Sequence, residues 1–474
     1  MSDPGLRPGG HDRVTLHLAD RAALRAYAAS APAGVLARTV EVLLDADPGP
    51  LGFVPRPEWP ALRRYRAHVR PADQGGGWRV VVRLAGHVEV AEVLAELARH
   101  AVQPVAEVVE RREGLTLDDR VLNAEGFRWA DGPVVDVDAT APTARLVEDL
   151  RDHAAARVTS DTDPAVVAGL AMAGVPLVGE APLGLDETLR LQVAAYVHLA
   201  DPRAREQHSV LLRRAALDAH GPVRRQPSVS VVLATKRPDM VDHALRQVAK
   251  QRGVDRLELV LAPHGFTPDE TGVRHRAGVP TTVLPQPPEA AFGDVLTAAS
   301  RAASGELVLK MDDDDWYGPD FVADLLRARG WSGADVVGTP AEQHYLAPLA
   351  TTVTRGHRTE AWTRFVAGGT ILVGRDLLRE VGWWRQVRRY VDAQLLAAVH
   401  AAGGTVYRTH GLGYLLRRNA SGHTWEVDLE ELLDPARVQQ RWDGFHPSRL
   451  LECAPEELPG ELPGQLSGES PRQP

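Results

Sequence analysis

The sequence predicts an α/β protein: a carboxy-terminal domain on a mostly parallel, doubly wound sheet, preceded by an α/β amino-terminal region that holds a small βαβ unit. Three observations carry this. From Ser228 onward, apolar runs at Ser228 to Ala234, Leu257 to Ala262, Thr281 to Leu284 and Leu307 to Met311 alternate with helical patterns at Pro238 to Gln251, Phe292 to Ala303 and Pro319 to Arg329. A shorter βαβαβ rhythm runs through residues 133–220. Hydrophobic residues make up 44% of the chain and charged residues 25%, so each half can bury a core and global disorder is excluded.

In chain order, residues 1–12 are rich in Gly and Pro and are expected to be disordered. Residues 13–132 read as mixed α/β of unassigned role, with strands at Val14 to Ala19 and Trp78 to Leu84 and a helix over Ala91 to His100. Pro-rich connections (Pro48 to Pro60) and a Gly75-Gly76-Gly77 turn separate them. Residues 133–220 read as a Rossmann-like unit plus helices. Its strands are Val134 to Val137, Ala156 to Thr159 and Val175 to Val178, and its first helix is Thr143 to His153. Asp163-Pro164 is a good start for the next helix and Gly174 a good stop. Two further helices are expected, about Asp186 to Leu199 and Pro202 to His220. Residues 221–227 are a linker, 228–450 the carboxy-terminal domain, and 455–474 a tail expected to be disordered.

The 474 residues (51.4 kDa) suit two or three domains. Net charge is 54 − 63 = −9, which argues against nucleic acid as a partner. A single cysteine, Cys453, excludes a disulfide framework or a Cys-rich metal site and makes cytoplasmic chemistry the default. The inner face of a membrane is compatible with this, although no apolar run has the ~18–20 residues of a span. The chain carries three lysines (Lys236, Lys250, Lys310) among many arginines, a bias of composition that cautions against overreading arginine.

The strongest local signal is Lys310-Met311-Asp312-Asp313-Asp314-Asp315-Trp316-Tyr317-Gly318-Pro319. Four adjacent carboxylates repel one another and need a cation if they are buried. They follow an apolar strand, and parallel sheets bind ligands at the carboxyl ends of their strands. Mg²⁺ or Mn²⁺ holding a diphosphate fits: such ions take oxygen ligands, commonly one or two protein carboxylates plus phosphate. A solvated acidic loop is one alternative. A calcium loop starting at Asp313 is another, with Gly318 at position six and Asp324 at twelve. It fails at position five, Tyr317, and a strand rather than a helix precedes it.

With Val229-Ser230-Val231-Val232-Leu233-Ala234-Thr235-Lys236-Arg237-Pro238 and Ala303-Ser304-Gly305-Glu306-Leu307-Val308-Leu309 before the acids, residues ~228–425 resemble a family 2 glycosyltransferase of GT-A fold. The resemblance implies a nucleotide-diphosphate sugar donor, a hydroxyl-bearing acceptor (a glycan, lipid-linked or other), Mn²⁺ or Mg²⁺, and a single inverting displacement. It places Thr235 and Arg237 by the nucleotide, Asp312 and Asp314 as the Asp-x-Asp pair on ribose and metal, and Asp315 in support of the metal. Gly369 of Gly368-Gly369-Thr370-Ile371-Leu372-Val373-Gly374-Arg375 would lie at the acceptor pocket, with Trp383 and Trp384 as candidates for stacking on a sugar or for core packing. In Arg388-Arg389-Tyr390-Val391-Asp392, the family pattern makes Asp392 the base that takes the acceptor's proton; read without it, Asp392 is a helix N-cap. In Arg417-Arg418-Asn419-Ala420-Ser421-Gly422-His423-Thr424-Trp425, an arginine would meet the leaving diphosphate and His423 would help hold the metal, with His410 competing.

The sequence departs from that pattern at Pro263-His264-Gly265, where many members carry an acid that reads the base, and at Thr297, where Asn is common. A degenerate, non-catalytic nucleotide- or carbohydrate-binding scaffold is the alternative from another class. A sugar-phosphate nucleotidyltransferase is disfavoured because Ala234-Thr235-Lys236-Arg237-Pro238 lacks its Gly-rich loop. Residues ~133–220 more weakly resemble the carboxy-terminal half of a spore-maturation-type GT-B glycosyltransferase, through VTSDTDPAVVAGLAMAGVPLV and REQHSVLLRRAAL. Its glycine-rich loop and ribose-binding acid are not evident, which implies a non-catalytic relic or docking module.

Overall fold

The structure, a computed structural model, describes residues 7–45, 68–71, 78–99, 108–110, 115, 117, 126–357, 359–402, 404–419 and 429–459. The Pro48 to Pro60 connection and the Gly75 to Gly77 turn lie outside the described residues.

The first layer is a four-stranded sheet in the order Gly9–Leu18, Val35–Leu44, Trp78–Glu89, His68–Pro71. The first strand begins at Gly9, not Val14, because Gly9 to Arg13 continue a parallel ladder with Val35 to Thr39. Backbone pairing, which needs no apolar side chain, extends the strand into the Gly/Pro-rich stretch. The helices Arg21–Ser30 and Val90–Arg99 cover one face, closing a core of Val14, Leu16, Leu24, Val40, Val42, Val82, Leu94 and Leu97. Asp20 caps the first helix by accepting from the Ala23 amide at 2.8 Å.

The expected βαβαβ unit is present as three parallel strands in chain order, Val134–Asp136, Ala155–Val158 and Leu177–Gly179. Asp163 accepts from the Ala165 amide at 2.7 Å, Pro164 occupies the first turn, and Gly174 takes φ 78° just after the helix. The helix Pro202–His220 follows as expected.

The largest sheet has eight strands, in the order Thr281–Val283, Leu257–Pro263, Val229–Thr235, Leu307–Met311, Leu372–Gly374, Val336–Gly338, Val406–Arg408, Ala361–Trp362. Its first four strands are parallel. Val229–Thr235 is buried at every position, as a sheet covered on both faces requires. The expectation of a mostly parallel sheet holds only for this half. Leu372–Gly374 runs antiparallel to both neighbours, and Ala361–Trp362 is antiparallel to Val406–Arg408. A reversed strand buried on both faces has the same apolar signature as a parallel one, so its direction is not visible in the pattern.

Helices cover both faces. Val241–Ala249, Glu270–Ala277 and Phe321–Ser332 pack on the face of Val231, Leu233, Leu307, Leu309 and Met311. Phe292–Ala302, Arg375–Glu380 and Val391–Ala401 pack on the face of Val232, Ala234 and Val308. A five-stranded sheet not anticipated from the sequence adjoins: Trp316–Tyr317, Tyr414–Arg418, Gln343–Leu346, Thr351–Arg355, Val438–Asp443. The start of the expected tail is packed as well, since buried Glu457 accepts from Lys250 Nζ at 2.9 Å and its carbonyl from Trp316 Nε1 at 2.7 Å. Residues 460–474 lie outside the described residues.

The helix Pro202–His220 is bonded to both sides. Toward the three-stranded sheet, Ser209 donates to the Gly174 carbonyl at 2.7 Å and Arg213 Nε to that of Met172 at 3.2 Å. Toward the carboxy-terminal domain, Arg213 pairs with Glu360 at 2.8 Å, Arg203 donates to Gln343 of the five-stranded sheet at 3.0 Å, and Arg214 pairs with Asp320 at 2.8 Å and with Asp324. Arg214→Ala takes one cation from buried Asp324 and leaves it Arg327 at 3.0 Å and His410 at 3.1 Å, so the cost falls below the about 3–5 kcal/mol of a buried pair broken outright. Burial alone would raise the Asp324 carboxyl, but Arg214 and His410 hold it well below the ordinary value of 3.8. Its stabilising contribution is therefore present above about pH 4 and fades as pH falls further. Chemical unfolding at several pH values should show Arg214→Ala less stable at pH 7 by less than about 3 kcal/mol, with the gap narrowing below pH 4.

Candidate functional site

At the carboxyl ends of the parallel strands lies a cleft of about 280 Å³. Its walls come from the ends of Val229–Thr235 and Leu257–Pro263, the Asp312–Asp315 run, Gly368, Gly369, Arg388, Asp392 and the strand Tyr414–Arg418. Among the described residues, none before Ala234 lines it.

The four carboxylates are handled one by one. Asp312 accepts from Lys310 Nζ at 2.7 Å through Oδ1, and a third of its side chain is exposed. Asp313 is held by the Thr235 hydroxyl and by Arg237, whose Nε lies 3.1 Å away. Asp314 accepts from Arg237 at 2.8 Å and from Asn419 at 3.0 Å, both at Oδ2. Asp315 is buried, with Oδ2 taking the Tyr414 hydroxyl at 2.6 Å and Oδ1 the Arg417 amide at 2.9 Å. Burial and the crowding of like charges push the Asp314 carboxyl up to about 6 against the pull of Arg237, and push Asp315 well above its ordinary value.

The side chains of Asp312 and Asp392 meet through one cation. Leu307, Leu309 and Met311 point to one face of their strand, so Lys310 falls on the other, with Val308, and is 2% exposed. Its Nζ lies 2.7 Å from Asp312 and 3.5 Å from Asp392. Burial works against its charge, but Asp312, Asp392 and Asp315 together raise it above the ordinary lysine value. Asp392 is raised by burial, against the pull of Lys310. The cap reading of Asp392 does not hold: Tyr390 occupies the N-cap with φ 61°, and Asp392 stands in the first turn with its carboxylate toward Lys310. Gly368 and Gly369 are required by closeness. A Cβ on Gly368 would strike the Asp392 carboxylate, and one on Gly369 would sit 2.8 Å from Asp312 Oδ2.

Thr235, Arg237, Asp312, Asp314, Asp315, Gly369, Asp392, Arg417 and Arg418 thus share one cleft. Thr235 and Arg237, expected on a nucleotide, bond the acids directly. Trp383 and Trp384 are not brought to the cleft. Trp384 is a core residue whose indole donates to Ser300 at 2.8 Å, its carbonyl accepting from Thr297, and Trp383 lies under Arg301. Contacts with Ser300 and Arg301 of the helix Phe292–Ala302 hold the two indoles. His410 is buried against Asp324 at 3.1 Å, away from the cleft. His423 and Trp425 lie outside the described residues. Lys310, Arg388, Asn419 and His264 were missed as site residues. Lys310 carried a signal, a lysine inside an apolar strand; Arg388 and Asn419 join through folding alone.

The donor set fits Mg²⁺ or Mn²⁺ of the kind that relies on substrate oxygens. Among the described residues no group of three or more His, Cys, Asp or Glu converges as a cage. Asp312 Oδ2 and Asp314 Oδ1 are the oxygens not taken up by the hydrogen bonds described, which matches an ion bound by one or two carboxylates plus phosphates and water.

No family model matches the sequence, and no curated protein matches it. Among solved structures the chain is similar to the mannosyltransferase PcManGT from Pyrobaculum calidifontis in complex with GDP-Man and Mn²⁺, at 18% identity over 42% of this chain and 59% of that one, TM-score 0.35. It is similar to TarS 1-349 of S. aureus in complex with UDP-GlcNAc, at 16% identity over 43% and 63% of the two chains, TM-score 0.35. A second TarS 1-349 structure matches at 17% identity over 40% and 60%, TM-score 0.33. The match spans less than two thirds of each of these chains. Likeness at this level fixes neither a fold nor an activity.

Because the folded protein holds a proton on Asp314 more tightly than an unfolded chain would, the stability this group contributes is lost as pH rises from about 4 through about 6. Melting curves in EDTA should show Asp314→Asn gaining on the wild type across that window, with no further gain above about pH 7.

Proposed function

We propose that the chain is a glycosyltransferase that moves a sugar from a nucleotide-diphosphate donor to a hydroxyl acceptor with inversion, using Mn²⁺ or Mg²⁺. The observation that carries this is the pairing of Asp392 with Asp312 across buried Lys310, in the cleft that also holds Asp314 and Arg417. One end of the cleft then offers a carboxylate of raised proton affinity, and the next offers acids and arginines suited to a metal-bound diphosphate.

In the proposed reaction the acceptor oxygen attacks the anomeric carbon as the bond from that carbon to the diphosphate oxygen breaks. The bonding pair leaves with the diphosphate, and the acceptor's proton passes to Asp392. A divalent ion would sit at Asp312 and Asp314 and stabilise the negative charge on the leaving group. Arg417 and Arg418, which line the same cleft, would meet that charge, and Asp315 accepts from the Arg417 amide. Lys310 offsets part of the rise that burial gives the Asp392 carboxyl and ties its position to Asp312. The acceptor enters past Gly368, Gly369 and Arg388, beside exposed Tyr390.

Asp392→Asn separates enzyme from scaffold. The expected result is a loss of turnover of about 10²–10⁴-fold, with binding of the nucleotide donor retained in a thermal-shift titration. Unchanged turnover of the donor would remove Asp392 as the base; donor binding without turnover in the wild type, across acceptors, would favour the scaffold. Lys310→Met should move the acid limb of the pH–rate profile to higher pH, because Lys310 is the group that lowers Asp392.

A further inference from the structure

Residues 383–390 lead into the helix that carries Asp392, and they are held stiffly. Trp383 and Tyr390, at the two ends, both take a left-handed conformation, with φ 65° and 61°. Between them, the Val387 carbonyl accepts from the Gly293 amide at 3.1 Å and Gln386 donates to Asp294 at 2.9 Å. Gly293 approaches so closely that a Cβ there would strike the Arg385 carbonyl. Backbone strain of this kind clusters at ligand clamps, and a segment fixed beforehand binds with little cost of ordering. What it presents outward is Arg385 and Arg388, both exposed, and Tyr390, 71% exposed. Arg388 lines the cleft, four residues before Asp392.

Among the described residues, the guanidinium groups of Arg385 and Arg388 have no ion-pair or hydrogen-bond partner. The chain's abundance of arginine does not account for this. Arg252, Arg256, Arg274, Arg276 and Arg437 are exposed too, yet each has an acid within 3.1 Å. The acids of the cleft are already engaged: Asp312 and Asp392 by Lys310, Asp313 and Asp314 by Arg237, Asp315 by Tyr414. Nor does Arg388 belong with the arginines of the strand Tyr414–Arg418, beside Asp315. Its segment is bonded to the start of the helix Phe292–Ala302, on the face of the sheet where the Asp392 helix also packs. The charge of Arg388 is therefore left for whatever enters on the Asp392 side. A guanidinium fork matches a phosphate or a carboxylate with two parallel hydrogen bonds.

We infer that the acceptor is an anionic saccharide or polyol chain, whose phosphate or carboxylate next to the reacting hydroxyl is held by Arg388. This rests on the glycosyltransferase reading for the presence of an acceptor. Arg385 adds positive charge along the approach, and the exposed ring of Tyr390 offers a face to a sugar. A chain threaded into the cleft suits these residues better than a lipid surface, because Arg388 lines the cleft and Trp383, the other large aromatic of the segment, lies under Arg301.

The test is calorimetric titration of the full chain with matched probes: oligogalacturonate against its methyl ester, and a glycerol phosphate oligomer against polyglycerol. A parallel titration uses UDP, GDP, TDP, CDP and ADP with Mn²⁺. The expected result is binding of at least one anionic probe about tenfold or more tighter than its neutral partner, the two pairs telling carboxylate from phosphate. In Arg388→Gln that preference should shrink to about threefold or less, Arg388→Lys should keep part of it, and Arg274→Gln, outside the cleft, should leave it unchanged. Equal binding of charged and neutral probes, no binding of any of them beside intact nucleotide binding, or an Arg388→Gln variant with the preference intact overturns the inference and leaves the glycosyltransferase reading in place. So does loss of nucleotide binding in Arg388→Gln, which would assign the arginine to the donor's diphosphate. Binding only to phosphatidylcholine vesicles that contain phosphatidylglycerol would put a lipid surface in place of the chain and overturn it too. An anionic probe held through Arg388 with no nucleotide bound keeps the anion site and overturns the glycosyltransferase reading; binding of neither class overturns both.

Discussion

Four consecutive carboxylates at the end of a buried strand are the constraint around which the rest of this structure is arranged. Left alone they would repel and draw in water or protons. The fold instead gives each a different counterpart: Lys310 for Asp312, Thr235 and Arg237 for Asp313, Arg237 and Asn419 for Asp314, and Tyr414 with the Arg417 amide for Asp315. These partners come from three strands and the segments after two of them. The acidic run therefore ties the edge of the eight-stranded sheet to the five-stranded one. Compensation is incomplete, since Asp314 and Asp315 remain raised. That residual demand for positive charge is what supports the reading of a cation-dependent phosphate site.

Lys310 gives the site its direction. A cation buried between Asp312 and Asp392 fixes the spacing of two acids that belong to different elements, one at a strand end and one in the first turn of a helix. The helix is entered through Tyr390 in a left-handed conformation, and local strain of this sort persists where the surroundings over-determine it. The two glycines opposite leave no room for a side chain between the acids and the entry.

The helix Pro202–His220 joins the small parallel unit to this machinery. Its buried arginines reach Glu360, Asp320 and Asp324 across a polar boundary. A docking module held by a linker would need no such depth of charge pairing. The same boundary absorbs His410, which looked from the sequence like a competitor for a metal. A histidine's role depends on which acid faces it, and Asp324 is 86 residues away in the chain.

What the sequence determined by itself was local. Apolar runs marked the strands Val229–Thr235, Leu257–Pro263 and Leu307–Met311, because a strand covered on both faces must be apolar throughout. Asp163-Pro164 and Gly174 marked helix ends through capping and backbone geometry alone. The acidic run was visible because four adjacent carboxylates need a reason, whereas Asp392 was visible only through the family resemblance, its own setting reading as a helix cap. Tertiary structure decided what depends on distant partners. It set the reversal of Leu372–Gly374, the whole five-stranded sheet, the burial of Trp384 against Ser300, and the turning of Lys310 between two acids. Each of these is a contact between residues far apart in the chain, and hydropathy along the chain records how much a residue wants to be buried but not which neighbour it will meet.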